Sequence, residues 1–138
     1  MNNDETREFL NHGTRTGKVA TVGADGSPHV APVWFVFDGS AVVFTTGADT
    51  VKGRNLRRDP RIAMSVDDEC PPYSFVYLRG TVELSDDGDA LLDAATRLGG
   101  RYMGAERAEE FGRRNAVEGE LLVRFIPDRI VAVKDLAD

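Results

Sequence analysis

The chain has one cysteine, two histidines and no long apolar run. Each scarcity excludes something. The lone Cys70 cannot form an internal disulfide and fits a reducing cytoplasm. Zinc needs three or four ligands at tight spacing. His12, His29 and Cys70 are scattered singly, so no metal centre is expected. No N-terminal stretch is apolar enough for a signal peptide or a membrane span, and a cytoplasmic protein away from membranes is expected. Positive charge is also short: 17 lysines and arginines against 23 acids leave a net charge of -6. That balance argues against nucleic-acid binding driven by phosphate neutralisation, and leaves a small molecule as the expected partner. A Walker loop, GxGxxG, GxSxG and any Ser-His-Asp signature are absent too. An enzyme with so little acid–base machinery draws its chemistry from a cofactor.

What is present is a foldable chain of 138 residues with 41% hydrophobic content. That is enough for one domain over 1–138 and too little for two. Thr6 to Asn11 reads as a short helix stopped by Gly13. Thr16 to Val22 and then PHVAPVWFVF, Pro28 to Phe37, read as two strands around an Ala24-Asp25-Gly26 turn. Pro28 and Pro32 cannot donate to a ladder, so the second strand needs an edge or a bulge. AVVFTT returns antiparallel after Asp38-Gly39. Asp49 or Thr50 caps a helix from Val51 to Arg58, and Asp59-Pro60 stops it. Arg61 to Asp67 and Phe75 to Leu84 alternate as strands. Ser85 caps a helix with Leu91, Ala94, Ala95 and Leu98 on one stripe, broken at Gly99-Gly100. Glu106 to Ala116 is a second, more polar helix. Glu120 to Ile126 and Arg129 to Val133 are two closing strands around Pro127-Asp128. The order predicts a mainly β (α+β) fold, a small antiparallel barrel with flanking helices, over a doubly wound α/β fold.

The segment Pro28 to Asp68 carries the chemistry. Thr45 and Thr46 end a strand, and Lys52 lies in the first turn of the helix that follows, with Asn55 beside it. Hydroxyls, helix N-terminal amides and an ammonium together make a phosphate-binding corner. The same residues also suit a threonine-ended strand and a solvated surface helix. Lys52, Arg54, Arg57, Arg58 and Arg61 face only Asp59 in this stretch, either extending an anion groove or suiting the helix dipole. Trp34 suits a flat heterocycle or a packed interface. His29 is the residue to test for an axial haem ligand.

Three segments together, TGKVATVGADGSPHVAPVWFVFDG, VVFTTGADTVKGRNLRRDPRIAMSVDD and PPYSFVYLRGTVEL, resemble the pyridoxamine-5′-phosphate-oxidase-like split-barrel family. Within it they look most like flavin/deazaflavin oxidoreductases of the type B group, coenzyme F420-dependent enzymes. The resemblance runs from about Thr14 to Leu84. It implies an FMN-binding type of split β-barrel, a homodimer, and a cofactor at the dimer interface. It implies that Thr45, Thr46 and Lys52 hold the cofactor phosphate, with Asn55 next to them. Pro32, Val33 and Trp34 would border the tricyclic ring, and Arg54 and Arg57 would meet an acidic tail. The implied activity is hydride transfer from reduced coenzyme F420 to a conjugated small-molecule acceptor; the accompanying proton comes from water or from a side chain, for which Tyr73, Tyr77 and Tyr102 are candidates. FMN chemistry on the same scaffold is the alternative, and a non-catalytic flavin- or haem-binding protein is a third. The chain is too short for the extra C-terminal elements of true pyridoxamine phosphate oxidases, so vitamin B6 oxidation is not expected.

Overall fold

A computed structural model describes residues 1–138. Seven strands form one antiparallel sheet in the order β2-β1-β5-β6-β7-β4-β3. They are β1 Gly17–Val22, β2 Pro28–Val33, β3 Val36–Phe37, β4 Val42–Gly47, β5 Arg61–Asp68, β6 Ser74–Ser85 and β7 Glu120–Val133. Four helices flank it: α1 Asn3–Asn11, α2 Val51–Arg58, α3 Gly88–Met103 and α4 Ala108–Asn115. The expected mainly β architecture, an antiparallel split barrel with flanking helices, is what the chain adopts.

Alternation builds the core. Val19, Ile62, Met64, Val66, Val76 and Leu78 point to one side of the sheet and are buried there with Phe35, Phe44, Val123 and Phe125. The curling sheet wraps this cluster because every strand offers it an apolar face on the two-residue period. α1 begins earlier than the sequence suggested, at Asn3. Asn2 and Glu5 form a reciprocal capping box that satisfies both ends of the first turn.

Three further boundaries differ from the sequence reading. PHVAPVWFVF is not one strand. It breaks at Trp34-Phe35 into β2 and β3, which occupy the two opposite edges of the sheet. The expected edge for Pro28 and Pro32 is thereby present. Second, Gly99-Gly100 does not end α3, whose N-cap is Asp87 rather than Ser85. A Cβ at Gly99 would lie 2.7 Å from the Phe111 Cβ, so this glycine permits the close crossing of α3 and α4. Third, the last two strands are one. β7 runs through Pro127-Asp128, and its register against β6 shifts between Arg79 and Gly80. A bulge accommodates the proline, which lacks a ladder donor, without stopping the strand.

Candidate functional site

The break between β2 and β3 is held from a distance. Arg101 of α3 donates to Phe35 O at 2.5 Å, Leu10 O at 2.7 Å and Gly13 O at 3.0 Å. Its guanidinium also lies over the Phe35 and Tyr102 rings. Burial lowers its pKa, but no carboxylate pairs with it; carbonyl dipoles and ring faces compensate the charge. The Tyr102 hydroxyl accepts Phe35 N–H at 3.1 Å and donates to Arg15 O at 2.8 Å. The Tyr102 ring stacks on Trp34 at 5.1 Å with the planes 4° apart. Trp34 is therefore a fixed plate, backed by Tyr102 and by Phe111 at 6.0 Å.

Beside that plate is a depression of about 280 Å³. Pro32, Val33 and Trp34 form one wall, and Thr45, Thr46 and Gly47 of β4 form the opposite one. Thr50 and Lys52 close one end, and Ala95, Leu98, Asn115 and Glu120 complete the lining. The depression thus straddles the gap where β2 and the outer part of β4 face each other without pairing.

The floor at α2 is tightly set. Thr50 caps the helix by accepting Gly53 N–H at 3.1 Å and donates to Gly47 O at 2.8 Å. One hydroxyl carries one proton, so the 3.1 Å Thr46–Thr50 contact has Thr46 as its donor. A Cβ on Gly53 would sit 2.1 Å from Gly47 O, so only glycine lets α2 come this close to β4. The amides of Val51 and Lys52 find no acceptor in the first turn, as expected of a helix start. The Lys52 ammonium forms no ion pair, and the Thr45 hydroxyl has no hydrogen-bond partner. These free donors fit a phosphate group. Glu120 counts the other way. Its Oε2 is buried without a partner, and burial raises the carboxyl above its usual range while Lys52 pulls it down.

Six of the residues singled out in the sequence therefore line one surface: Pro32, Val33, Trp34, Thr45, Thr46 and Lys52. Three do not. Asn55 is buried under α2, where its Nδ2 donates to Thr21 Oγ1 at 3.0 Å and its Oδ1 accepts from Arg58 at 3.3 Å. Its amide is committed to packing α2 on β1 and does not face the depression. Arg57 folds back onto Ala48 O at 2.8 Å and Asp49 at 3.8 Å, and Arg54 is exposed on the outer side of α2. Neither Tyr73 nor Tyr77 lines the depression, and the Tyr102 hydroxyl is occupied by backbone groups. His29 lies on β2 opposite Thr21 with Nδ1 enclosed and unpartnered; neither histidine reaches the depression. Asn115 and Glu120 were not signalled by any motif. They arrive from the C-terminal third of the chain.

The sequence profile described as pyridoxamine 5′-phosphate oxidase matches residues 3–130. The chain belongs to this family. Solved structures agree. A conserved hypothetical protein, Rv2991 from Mycobacterium tuberculosis, is 30% identical with a TM-score of 0.83, over 96% of this chain and 84% of that one. An F420 reductase is also 30% identical with a TM-score of 0.71, over 90% of this chain and 94% of that one. HutZ, the haem storage protein of Vibrio cholerae, shares the fold at 19% identity and a TM-score of 0.76, over 98% and 97% of the two chains. The same fold thus carries a reductase and a haem storage protein. No helix of this member is long and apolar enough to cross a membrane.

Proposed function

We propose that this protein is an oxidoreductase that binds coenzyme F420 in the depression between β2 and β4 and reduces a conjugated small-molecule acceptor. The observation that carries the reading is the pairing of unspent phosphate donors with a fixed aromatic plate along one groove. Lys52, the Thr45 hydroxyl and the first amides of α2 would hold the phosphate. The backbone of Pro32 to Trp34 would flank the ring. When bound, the reduced deazaflavin supplies a hydride. The protein's part is orientation: Trp34 is locked by Tyr102, Phe111 and the Arg101 clamp, so acceptor and ring meet in few geometries. The 30% identical F420 reductase favours the deazaflavin over FMN.

A second copy of the chain belongs to this proposal. Val30, Ala20 and Ala63 lie side by side on the outer face of β2, β1 and β5, with Tyr77 on the diagonal. Val30 is 64% exposed there, and a partner protomer would cover this strip. The expected sedimentation mass is that of a homodimer.

The test is a parallel fluorescence titration with coenzyme F420 and FMN. The deazaflavin is expected to bind more tightly. Arg54 and Arg57 are exposed on α2 outside the phosphate corner, and a trailing anionic tail would meet Arg54 directly and Arg57 by drawing it off Ala48 O and Asp49. Charge reversal of both should weaken coenzyme F420 binding well beyond any loss for FMN. Equal losses would remove the tail from the argument, and tighter FMN binding would move the protein to flavin chemistry. A Soret band on adding haem, lost in His29→Ala, would instead place it with the haem binders.

A further inference from the structure

Glu120 is the one group in the depression that a phosphate should avoid, and it opens β7 opposite Gly47. Its Oε2 is enclosed and has no hydrogen-bond partner. It forms no ion pair with Lys52, although both line the same surface. The other faces around it are uncharged. β4 offers Thr45, Thr46 and Gly47, α3 offers Ala95 and Leu98, and α4 offers Asn115. Lys52 of α2 is the only charge that acts on it appreciably.

An ionised carboxylate here would repel an incoming anion across a partly dehydrated gap. A protonated one would become a donor in a cluster that already points donors the same way. We propose that Glu120 takes up a proton from solvent when a phosphate-bearing ligand binds, and that its O–H then donates to a phosphate oxygen. The step is a proton transfer alone: a buffer acid gives one proton to the carboxylate and leaves its conjugate base in solution, and the enclosed oxygen gains the partner it lacks. The direction of its shift in the free protein agrees, since burial already favours the neutral acid. This inference rests on the phosphate corner proposed above and adds to it a proton-coupled binding step.

Linkage gives the sign. If the bound form holds more protons than the free form, affinity falls as pH rises, approaching tenfold per pH unit once the free carboxyl is ionised. Glu120→Gln keeps the shape and supplies an N–H donor without titrating. Its affinity should therefore be flat with pH and should exceed that of the parent protein at alkaline pH.

Calorimetric titration with coenzyme F420 at neutral pH, in buffers of different ionisation enthalpy, reads the proton directly. Its phosphate is a diester with no proton to exchange there, unlike the monoester of FMN, whose second pKa is about 6. The expected result is net uptake of up to one proton per site in the parent protein and none in Glu120→Gln. Binding without uptake, or equal uptake in the variant, overturns the role of Glu120 and leaves the corner intact. Absence of binding by both coenzyme F420 and FMN overturns the corner and this step with it.

Discussion

Arg101→Met is expected to destabilise the protein by about 3 kcal/mol or more. Each charged hydrogen bond contributes roughly 1.5–3 kcal/mol, and the three are coupled, so their sum is an upper bound. Methionine keeps the aliphatic stem and much of the packing on Phe35 but leaves the Leu10, Gly13 and Phe35 carbonyls without their donor. The loss is local before it is global. α1, the β1 approach and the β2–β3 break all converge on this one side chain. Urea denaturation followed by fluorescence is the measurement, and the chain's single tryptophan makes it specific, because Trp34 sits in the affected wall. The control is Arg97→Met, which removes only an exposed pair with Asp93 of a kind worth a few tenths of a kcal/mol. A midpoint shift no larger than the control's would show that the clamp is ornamental.

Lys52→Ala is expected to weaken cofactor binding by about 1.5–3 kcal/mol, roughly ten- to 150-fold, with little change in folding. The side chain has no ion pair to lose in the free protein, and its position in the first turn tolerates alanine. The sign is therefore separable: affinity falls while the urea midpoint stays within the range of an ordinary surface substitution. Titration of the variant beside the parent protein decides it. Unchanged affinity would place the phosphate elsewhere, and a large fall in stability would assign Lys52 to structure.

α2 was legible because its signals are local. Thr50 caps it, and Asp59-Pro60 stops it four residues after Asn55. The strands β5 and β6 were legible from alternation, since one face of each had to be buried. The break at Trp34-Phe35 was not, because its cause lies in α3, at Arg101 and Tyr102. No window around Trp34 contains that information. Gly99 misled for a related reason. A glycine in a helical pattern reads as a stop, and only the position of Phe111 shows that it is a contact surface. Pro127 misled because a bulge, which costs one unpaired residue, can carry a strand past a proline.

The site divides the same way. Its N-terminal half is a contiguous piece of sequence in which hydroxyls, helix start and lysine follow one another. Its other half comes from the ends of α4 and β7, where an Asn and a Glu look like any polar residues at a chain turn. Arg57 shows the limit of reading charge from spacing. A basic run predicts an electrostatic face, but Arg57 spends its guanidinium on Ala48 O and Asp49.

The sheet ends at β2 on one side and β3 on the other, and those two strands are neighbours in the chain. The two edges of the split barrel are therefore joined there by two residues of backbone rather than by a ladder. Amide hydrogen exchange should be fastest beside it, where opening costs few bonds. A ligand lying across from Pro32 to Thr46 would act as a removable cross-link. It would slow exchange on both sides of the gap at once, including at strand positions it never touches.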